Sequence, residues 1–290
     1  MTAAEKQPVW FITGSSSGLG RALAERVLAH GYRLIATARR VDALSDLAAA
    51  YPEQCRTMTL DVADPQQVSA VVEAAAAGFG RLDVIVNNAG YALAGAVEEY
   101  TDDQIARNFQ TNFFGALNVI RAALPGMRAR GEGHFVILSA SAAIANYPGL
   151  SVYGATKWAL EGLAESLAAE VRPLGLRVTI VQPGPFRTDF VTRSFERARR
   201  SIPEYERSSG KFLQLLAGMA GRQPGDPLKA ADALIAAVAA EDPPLRLVLG
   251  KYAMDKARRR LVTAARELDL NQASTPATEF SAGAAGPRRD

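Results

Sequence analysis

The sequence contains few of the residues that build disulfide frameworks and metal sites. Its 290 residues include one cysteine, Cys55, and two histidines, His30 and His134. One cysteine excludes a disulfide within the chain and is typical of a reducing compartment. Two distant histidines and one cysteine do not make the ligand set of a zinc site. We therefore expect no disulfide, no metal and a cytoplasmic location.

Long hydrophobic runs and a strong charge of one sign are also missing. No apolar run is long enough to cross a bilayer, and the chain does not open like a signal peptide. The net charge is only +3, without a basic stripe interleaved with aromatic residues. These absences argue against a membrane protein and against a nucleic-acid partner. The hydrophobic content of 48% supports a large core.

Strand-like and helix-like patterns alternate along the chain. Strand patterns lie at 9–13, 33–37, 57–60, 82–86, 134–138, 177–181 and 246–249, and helix patterns at about 18–30, 41–51, 65–78, 102–130, 152–171, 228–240 and 251–268. This alternation predicts an α/β fold, a Rossmann-type doubly wound parallel sheet in a three-layer αβα arrangement. We expect a single domain over 8–270, with a lid at about 185–226, a loose leader at 1–7 and a disordered tail at 271–290.

The first strand pattern leads into a glycine-rich loop and then a helix. The glycines are Gly14, Gly18 and Gly20, in the spacing Gly-x3-Gly-x-Gly. A strand, a glycine turn and a helix together place free N–H groups and the helix dipole where a phosphate binds. Gly14 permits the turn, Gly18 permits close approach of a pyrophosphate, and Gly20 permits close packing of helix and sheet. The predicted nucleotide site also includes Ser16, Ser17 and Leu19 of this loop.

Other marked residues follow later strands, at 39, 61, 87–90, 139–141 and 183–188. Because the carboxyl ends of parallel strands meet at one edge of the sheet, we expect a single site there. The next helix pattern opens with Tyr153-x3-Lys157, which places a phenol and an ammonium on one helix face. A nearby ammonium favours phenolate and lowers the pKa of tyrosine from ~10. Tyr153 could then exchange a proton with an alcohol or carbonyl while a nicotinamide exchanges the hydride.

Five motifs stand in one order: Thr13-Gly14-x3-Gly18-x-Gly20, Asn87-Asn88-Ala89-Gly90, Asn112, Tyr153-x3-Lys157 and Pro183-Gly184. In this order the chain resembles the short-chain dehydrogenase/reductase family over about residues 8–190. The resemblance implies an oxidoreductase that interconverts a carbonyl and a secondary alcohol, assembled as a homodimer or homotetramer. Two helices with extra apolar residues, among them Phe114 and Trp158, are consistent with such an assembly.

The resemblance also implies roles for individual residues. Tyr153 would be the general acid/base, Lys157 would lower its pKa and bind the nicotinamide ribose, and Asn112 would hold a proton-relay water. The residues that would contact the cofactor elsewhere are Asn88, Ala89 and Gly90 along its length, Asp61 and Val62 at the adenine, Thr188 at the carboxamide or diphosphate, and Pro183, Gly184 and Phe186 in the adjoining loop.

One position departs from the family pattern. The family places a serine thirteen positions before the tyrosine, and this chain has Ala140 there, between Ser139 and Ser141. A one-residue deletion in the loop 142–147 would bring Ser141 to the family position, so we predict Ser141, with Ser139 as the alternative. If neither serine reaches the site, a non-catalytic dinucleotide-binding regulatory protein is the alternative function. An epimerase or dehydratase of the same family is a third.

The end of the second strand bears on the choice of cofactor. An acidic residue there would bind the adenosine ribose and repel a 2′-phosphate. This chain instead has Arg39 and Arg40, with no acid before Asp42, and an arginine presents a planar fork to a phosphate. We predict NADP(H), with NAD(H) as the alternative. The substrate is expected to be apolar or bulky, because the predicted lid contains Phe186, Phe190, Phe195, Tyr205, Phe212, Leu213, Leu215, Leu216 and Met219.

Overall fold

Seven parallel strands form the main sheet of the computed structural model, which describes residues 7–272 and Thr275. The strands are β1 (Val9–Thr13), β2 (Arg33–Ala38), β3 (Cys55–Thr59), β4 (Val84–Asn87), β5 (Ala92–Ala94), β6 (Gly133–Leu138), β7 (Leu176–Pro183), β8 (Phe195–Arg197) and β9 (Arg246–Leu249). The main sheet has the order β3-β2-β1-β4-β6-β7-β9, and β5 pairs with β8 outside it. The predicted doubly wound parallel sheet is confirmed.

Helices cover both faces of this sheet. They are α1 (Gly18–Ala29), α2 (Ser45–Ala50), α3 (Pro65–Phe79), α4 (Asp102–Phe109), α5 (Gly115–Arg130), α6 (Ser141–Ile144), α7 (Ser151–Val171), α8 (Phe190–Arg193), α9 (Lys211–Gly218), α10 (Pro227–Ala239) and α11 (Lys251–Asn271). The three layers follow from the alternation of side chains along each buried strand. In β1, Val9 and Phe11 join the core under α3, α5 and α7, while Trp10 and Ile12 join the core under α1 and α10.

The strand order places a crevice at the carboxyl ends of β1 and β4. The chain builds the sheet outward from β1 through β2 and β3, and then returns to β4 on the other side of β1. The helices after β1 and β4 therefore lie on opposite faces, and the loops that lead to them diverge. Every other loop that carries predicted site residues opens at the same edge.

The helix predicted over 102–130 is present, but its middle is a π turn and not a regular α-helix. α4 is capped by the Thr101 side chain, which accepts a hydrogen bond from the Gln104 N–H, and a π turn at Gln110–Phe114 separates α4 from α5. A π turn accommodates one extra residue, and such turns occur often at functional sites. Hydrophobic periodicity did not reveal it because five residues are too few to change the pattern.

The predicted lid is fixed to the body of the protein along its first half. β8 pairs with β5 in the register Ala92↔Phe195. The Gln104 side chain donates to Glu196 Oε1 and to the Arg197 carbonyl, both at 2.9 Å. The second half contains α9, of which Phe212, Leu215 and Leu216 line the crevice.

Most residues of the two predicted chain ends lie outside the described part of the structure. Of the leader it includes only Gln7, and of the tail only Asn271, Gln272 and Thr275. Asn271 still belongs to α11, which extends beyond the predicted helix end at 268. Within the described residues, no helix is long and apolar enough to cross a membrane.

Candidate active site

The glycine-rich loop after β1 requires glycine at two positions. Gly14 and Gly18 have φ values of +70° and +62°, a region that favours glycine. A Cβ on Gly14 would also lie 3.0 Å from the Ala89 Cα. α1 begins at Gly18, directly beside this loop. The loop therefore brings a helix N-terminus, with its free N–H groups, to the carboxyl edge of the sheet.

Thr13 and Asn88 join this loop to the end of β4. The Thr13 hydroxyl accepts hydrogen bonds from the N–H groups of Asn88 and Ala89, each at 3.0 Å. The Asn88 Nδ2 donates to the carbonyls of Thr13 and Gly14, at 2.8 and 3.0 Å. A Cβ on Gly20 would lie only 2.2 Å from that Nδ2. Gly20, one of the predicted cofactor residues, packs behind the loop and does not line the cleft.

One cleft of about 1120 Å³ connects the loops at this edge. The predicted site residues in its wall are Gly14, Ser16, Ser17, Gly18, Leu19, Arg39, Asp61, Val62, Asn88, Ala89, Gly90, Ser141, Tyr153, Lys157, Pro183, Gly184, Phe186 and Thr188. Only Gly20 and Asn112, among the predicted residues, lie behind the wall. The structure thus brings together residues that span 174 positions of the chain, from Gly14 to Thr188.

Tyr153 and Lys157 are both buried near the start of α7. The Lys157 Nζ donates to the Leu138 carbonyl at 2.7 Å and lies 6.0 Å from the centroid of the Tyr153 ring. Burial lowers the pKa of Lys157 to about 8 and raises the pKa of Tyr153. The predicted lowering of the Tyr153 pKa is therefore wrong for this structure. Desolvation of the phenolate outweighs its attraction to an ammonium that a backbone carbonyl holds.

Asn112 lies in the π turn, and its amide connects three segments. Oδ1 accepts from the Tyr91 N–H at 3.0 Å, and Nδ2 donates to the Tyr91 carbonyl at 2.9 Å and to Thr156 Oγ1 at 3.0 Å. A Cβ on Gly90 would lie 3.0 Å from Asn112 Oδ1 and 3.6 Å from Lys157 Nζ. Asn112 therefore lies next to Lys157, although it is not part of the cleft wall.

Ser139 and Ser141 both reach the cleft. The Ser141 Oγ lies 3.1 Å from the hydroxyl oxygen of Tyr147. The Ser139 Oγ is buried and has no hydrogen-bond partner among the described residues. Neither serine makes a hydrogen bond to Tyr153 within that part of the chain, so the choice between them stays a prediction.

Arg39 and Arg40 lie at the end of the cleft next to β2, and both are exposed. Neither forms an ion pair with an acid of the described chain. Both guanidinium groups therefore line the cleft without an acidic ion-pair partner in the described part of the chain.

The substrate end of the cleft contains residues that the sequence did not indicate. Tyr91, Tyr147 and Tyr252 line it, and no motif marked them. Of the predicted lid residues, Phe186, Phe190, Phe195, Phe212, Leu215, Leu216 and Met219 line the cleft. Tyr205 does not, because its hydroxyl donates to Glu98 Oε2 outside the cleft, and Leu213 packs under Gly149.

Comparisons with known proteins agree on one family. The chain matches the short chain dehydrogenase family over residues 8–199. It is 38% identical to Oxidoreductase BOA17 of Botryotinia fuckeliana over 250 residues, which cover 86% of this chain and 91% of the relative. It is 32% identical to 3-ketodihydrosphingosine reductase of Bacteroides thetaiotaomicron over 240 residues, covering 82% and 86%. A crystal structure of a short-chain dehydrogenase from Streptomyces avermitilis is 42% identical, has a TM-score of 0.90, and covers 95% of this chain and 100% of that one.

Proposed function

Because this chain belongs to the short-chain dehydrogenase family, we propose that it is an NADP(H)-dependent oxidoreductase acting on an apolar or bulky small molecule. The reaction is the interconversion of a carbonyl and a secondary alcohol. The observation that carries the proposal is the single cleft. It has the glycine loop and Arg39 at one end, and Tyr153, Lys157 and an aromatic lid at the other.

The walls of the cleft fit a dinucleotide. Gly14 and Gly90 lie in the wall, and a Cβ on either would approach backbone or Asn112 to 3.0 Å, so the loops pack closely behind the cleft at these two positions. The N–H groups at the start of α1 would bind the phosphates. Asn88, Ala89 and Gly90 would line the cofactor, Asp61 and Val62 would flank its adenine, Lys157 would bind the ribose, and Thr188 would bind the carboxamide or diphosphate. The bound cofactor supplies or accepts the hydride.

Tyr153 provides the proton in this proposal. Its raised pKa keeps the phenol protonated at neutral pH, which suits donation to a carbonyl oxygen. The Ser141 hydroxyl would donate a hydrogen bond to the same oxygen and polarise the carbonyl. Asn112 fixes the backbone beside Lys157 and would hold a relay water there. The Phe190 ring, 6.0 Å from the Tyr153 ring, helps to exclude bulk water.

Substituting Tyr153 tests the reaction. Tyr153→Phe removes only the transferable proton, so it should retain the fold and cofactor affinity while losing turnover on a panel of ketones and aldehydes. Lys157→Ala should weaken both cofactor binding and rate. Activity of Tyr153→Phe within a few-fold of wild type would remove Tyr153 from the reaction. Cofactor binding without turnover of any carbonyl by the wild type would instead favour the regulatory alternative.

The preference for NADP(H) rests on Arg39, and Arg39→Asp tests it. Losing a charge-assisted phosphate contact costs roughly 1.5–3 kcal/mol, or about ten- to a hundred-fold in NADPH affinity. NADH affinity should hold or improve, because an aspartate accepts hydrogen bonds from ribose hydroxyls. Titrations of both cofactors into wild type and variant measure this, with Arg40→Asp as the matched control. Equal weakening toward both cofactors would show that Arg39 only supports the loop.

We further propose a cytoplasmic homodimer or homotetramer. The one cysteine of the chain, Cys55, is a free and buried thiol, which suits a reducing compartment. Phe114 and Trp158 are 44% and 48% exposed, on two helices that pack on the same face of the sheet. Large aromatic side chains exposed in this way favour a partner surface.

A further inference from the structure

Tyr147 forms part of the cleft wall and touches three separate elements. Its hydroxyl oxygen lies 3.1 Å from the Ser141 Oγ at the start of α6. Its ring stacks on Phe212 of α9, with centroids 4.9 Å apart and planes 16° from parallel. The third contact is with Lys256 of α11, whose Nζ lies 3.1 Å from the centre of the same ring. This last distance leaves no room for Phe212 on the same face, so the ring lies between the two side chains.

Lys256 is a buried cation with an unusual environment. Lys256 is only 8% exposed, and its Nζ has no hydrogen-bond partner within the described chain. Burial, and secondarily Arg259, lowers its pKa to about 8. Together with Tyr147 and Tyr252, Lys256 lines a second crevice of about 650 Å³ behind the wall of the cleft. The face of the Tyr147 ring is thus the principal group that compensates this charge.

We propose that Tyr147 is a positioning residue for Ser141, and that Lys256 strengthens this positioning from behind the ring. The proposal rests on the proposed function above. Burial raises the pKa of the Tyr147 phenol, so its O–H stays protonated and can donate, and a cation on the ring face strengthens that donation. The Tyr147 hydroxyl also has a side-chain hydrogen bond with Tyr252. With Tyr147 accepting from Tyr252 and donating to the Ser141 oxygen, the Ser141 proton is directed away from Tyr147 and toward the carbonyl oxygen of the substrate. Hydrogen bonds in such a chain strengthen one another.

This arrangement also accounts for the displaced serine. The hydroxyl stands at Ser141 rather than at position 140, and a second phenol in the neighbouring loop holds it. A structural role alone would require only that Tyr147 and Lys256 fill space between α6, α9 and α11. The two roles can be distinguished. If Tyr147 positions Ser141, substituting Tyr147 slows the reaction only while the Ser141 hydroxyl is present.

Single-turnover reduction of a ketone by NADPH, with enzyme in excess, measures the chemical step. Tyr147→Phe keeps the ring and its stacking, and should slow this step about tenfold, the effect of one hydrogen bond, without changing NADPH affinity. Lys256→Met keeps the apolar stem and should slow it about three- to tenfold, whereas Lys256→Arg should restore most of the rate. Lys251→Met is the matched control. It removes a lysine on the same helix that is exposed and paired with Asp255, and should leave the rate unchanged.

A double variant then decides between positioning and space filling. In the Ser141→Ala background, adding Tyr147→Phe should cause no further loss of rate. An equal tenfold loss in both backgrounds, or full activity of Tyr147→Phe, overturns the positioning role while leaving the proposed function intact. Lys256→Met and Lys256→Arg with equal losses overturn the role of the charge. A wild type that binds NADPH and reduces no carbonyl overturns the proposed function, and the positioning role with it.

Discussion

Gly20→Ala should destabilise the protein although alanine is the better helix former. The added methyl would lie 2.2 Å from the Asn88 Nδ2 and 2.5 Å from the Gly14 carbonyl oxygen. Separating these atoms disrupts the two hydrogen bonds that Asn88 donates to Thr13 and Gly14, at about 1 kcal/mol each. Overpacking adds about 1–3 kcal/mol, and the helix propensity of alanine returns up to about 1 kcal/mol. We therefore expect a net loss of roughly 2–4 kcal/mol.

Gly162→Ala provides the matched control. Gly162 lies inside α7, and a Cβ there would meet no heavy atom within 4 Å. This variant should gain about 0.5–1 kcal/mol, because glycine is unfavourable in a helix interior. Thermal unfolding should place the Gly20→Ala midpoint roughly 4–16 °C below wild type, from about 2–4 °C per kcal/mol, and the Gly162→Ala midpoint above it. NADPH affinity should fall only for Gly20→Ala. Equal stabilisation by both substitutions would refute the close packing inferred for Gly20.

Three further outcomes are expected. Burial lowers the pKa of His134 to about 4, from an unfolded value near 6.5. The free energy of unfolding should therefore decrease as the pH falls from 6.5 toward 4, by roughly 3 kcal/mol. Urea unfolding measures this decrease, which should be absent in His134→Gln. Phe114→Glu with Trp158→Glu should yield monomers in light scattering, and a wild type that is monomeric at micromolar concentration would contradict the assembly. Ser141→Ala should cost more activity than Ser139→Ala, and the reverse ranking would assign the role to Ser139.

The strands and the nucleotide loop could be predicted from the sequence because their signals are local. Buried parallel strands are short apolar runs, and a glycine turn before a helix has few alternative explanations. Once the strands were placed, the topology brought Arg39, Asn88 and Tyr153 to one edge without any long-range information. The strand pattern alone therefore predicted that these three residues line one cleft.

The features that were missed depend on contacts between distant segments. Tyr147 and Tyr252 stand 105 positions apart and meet only because α11 returns to the cleft. The direction of the Tyr153 pKa shift depends on burial by the lid, which the spacing of Tyr153 and Lys157 does not contain. The motif predicted close packing of helix and sheet at Gly20, whereas its packing partner, the Asn88 side chain, required the atomic structure.

The π turn between α4 and α5 has a consequence for how this protein can change. It holds one residue more than a regular helical turn, and each residue rotates a helix by about 100°. The extra residue lets α4 direct Gln104 toward the lid while α5 directs Val119 and Ile120 into the core. Deleting any residue of Gln110–Phe114 would produce a more regular helix and turn one of these faces away. We therefore expect related sequences to have no insertion or deletion in the middle of this helix. A deletion that converted the π turn to a regular α-helix would also change the geometry around Asn112.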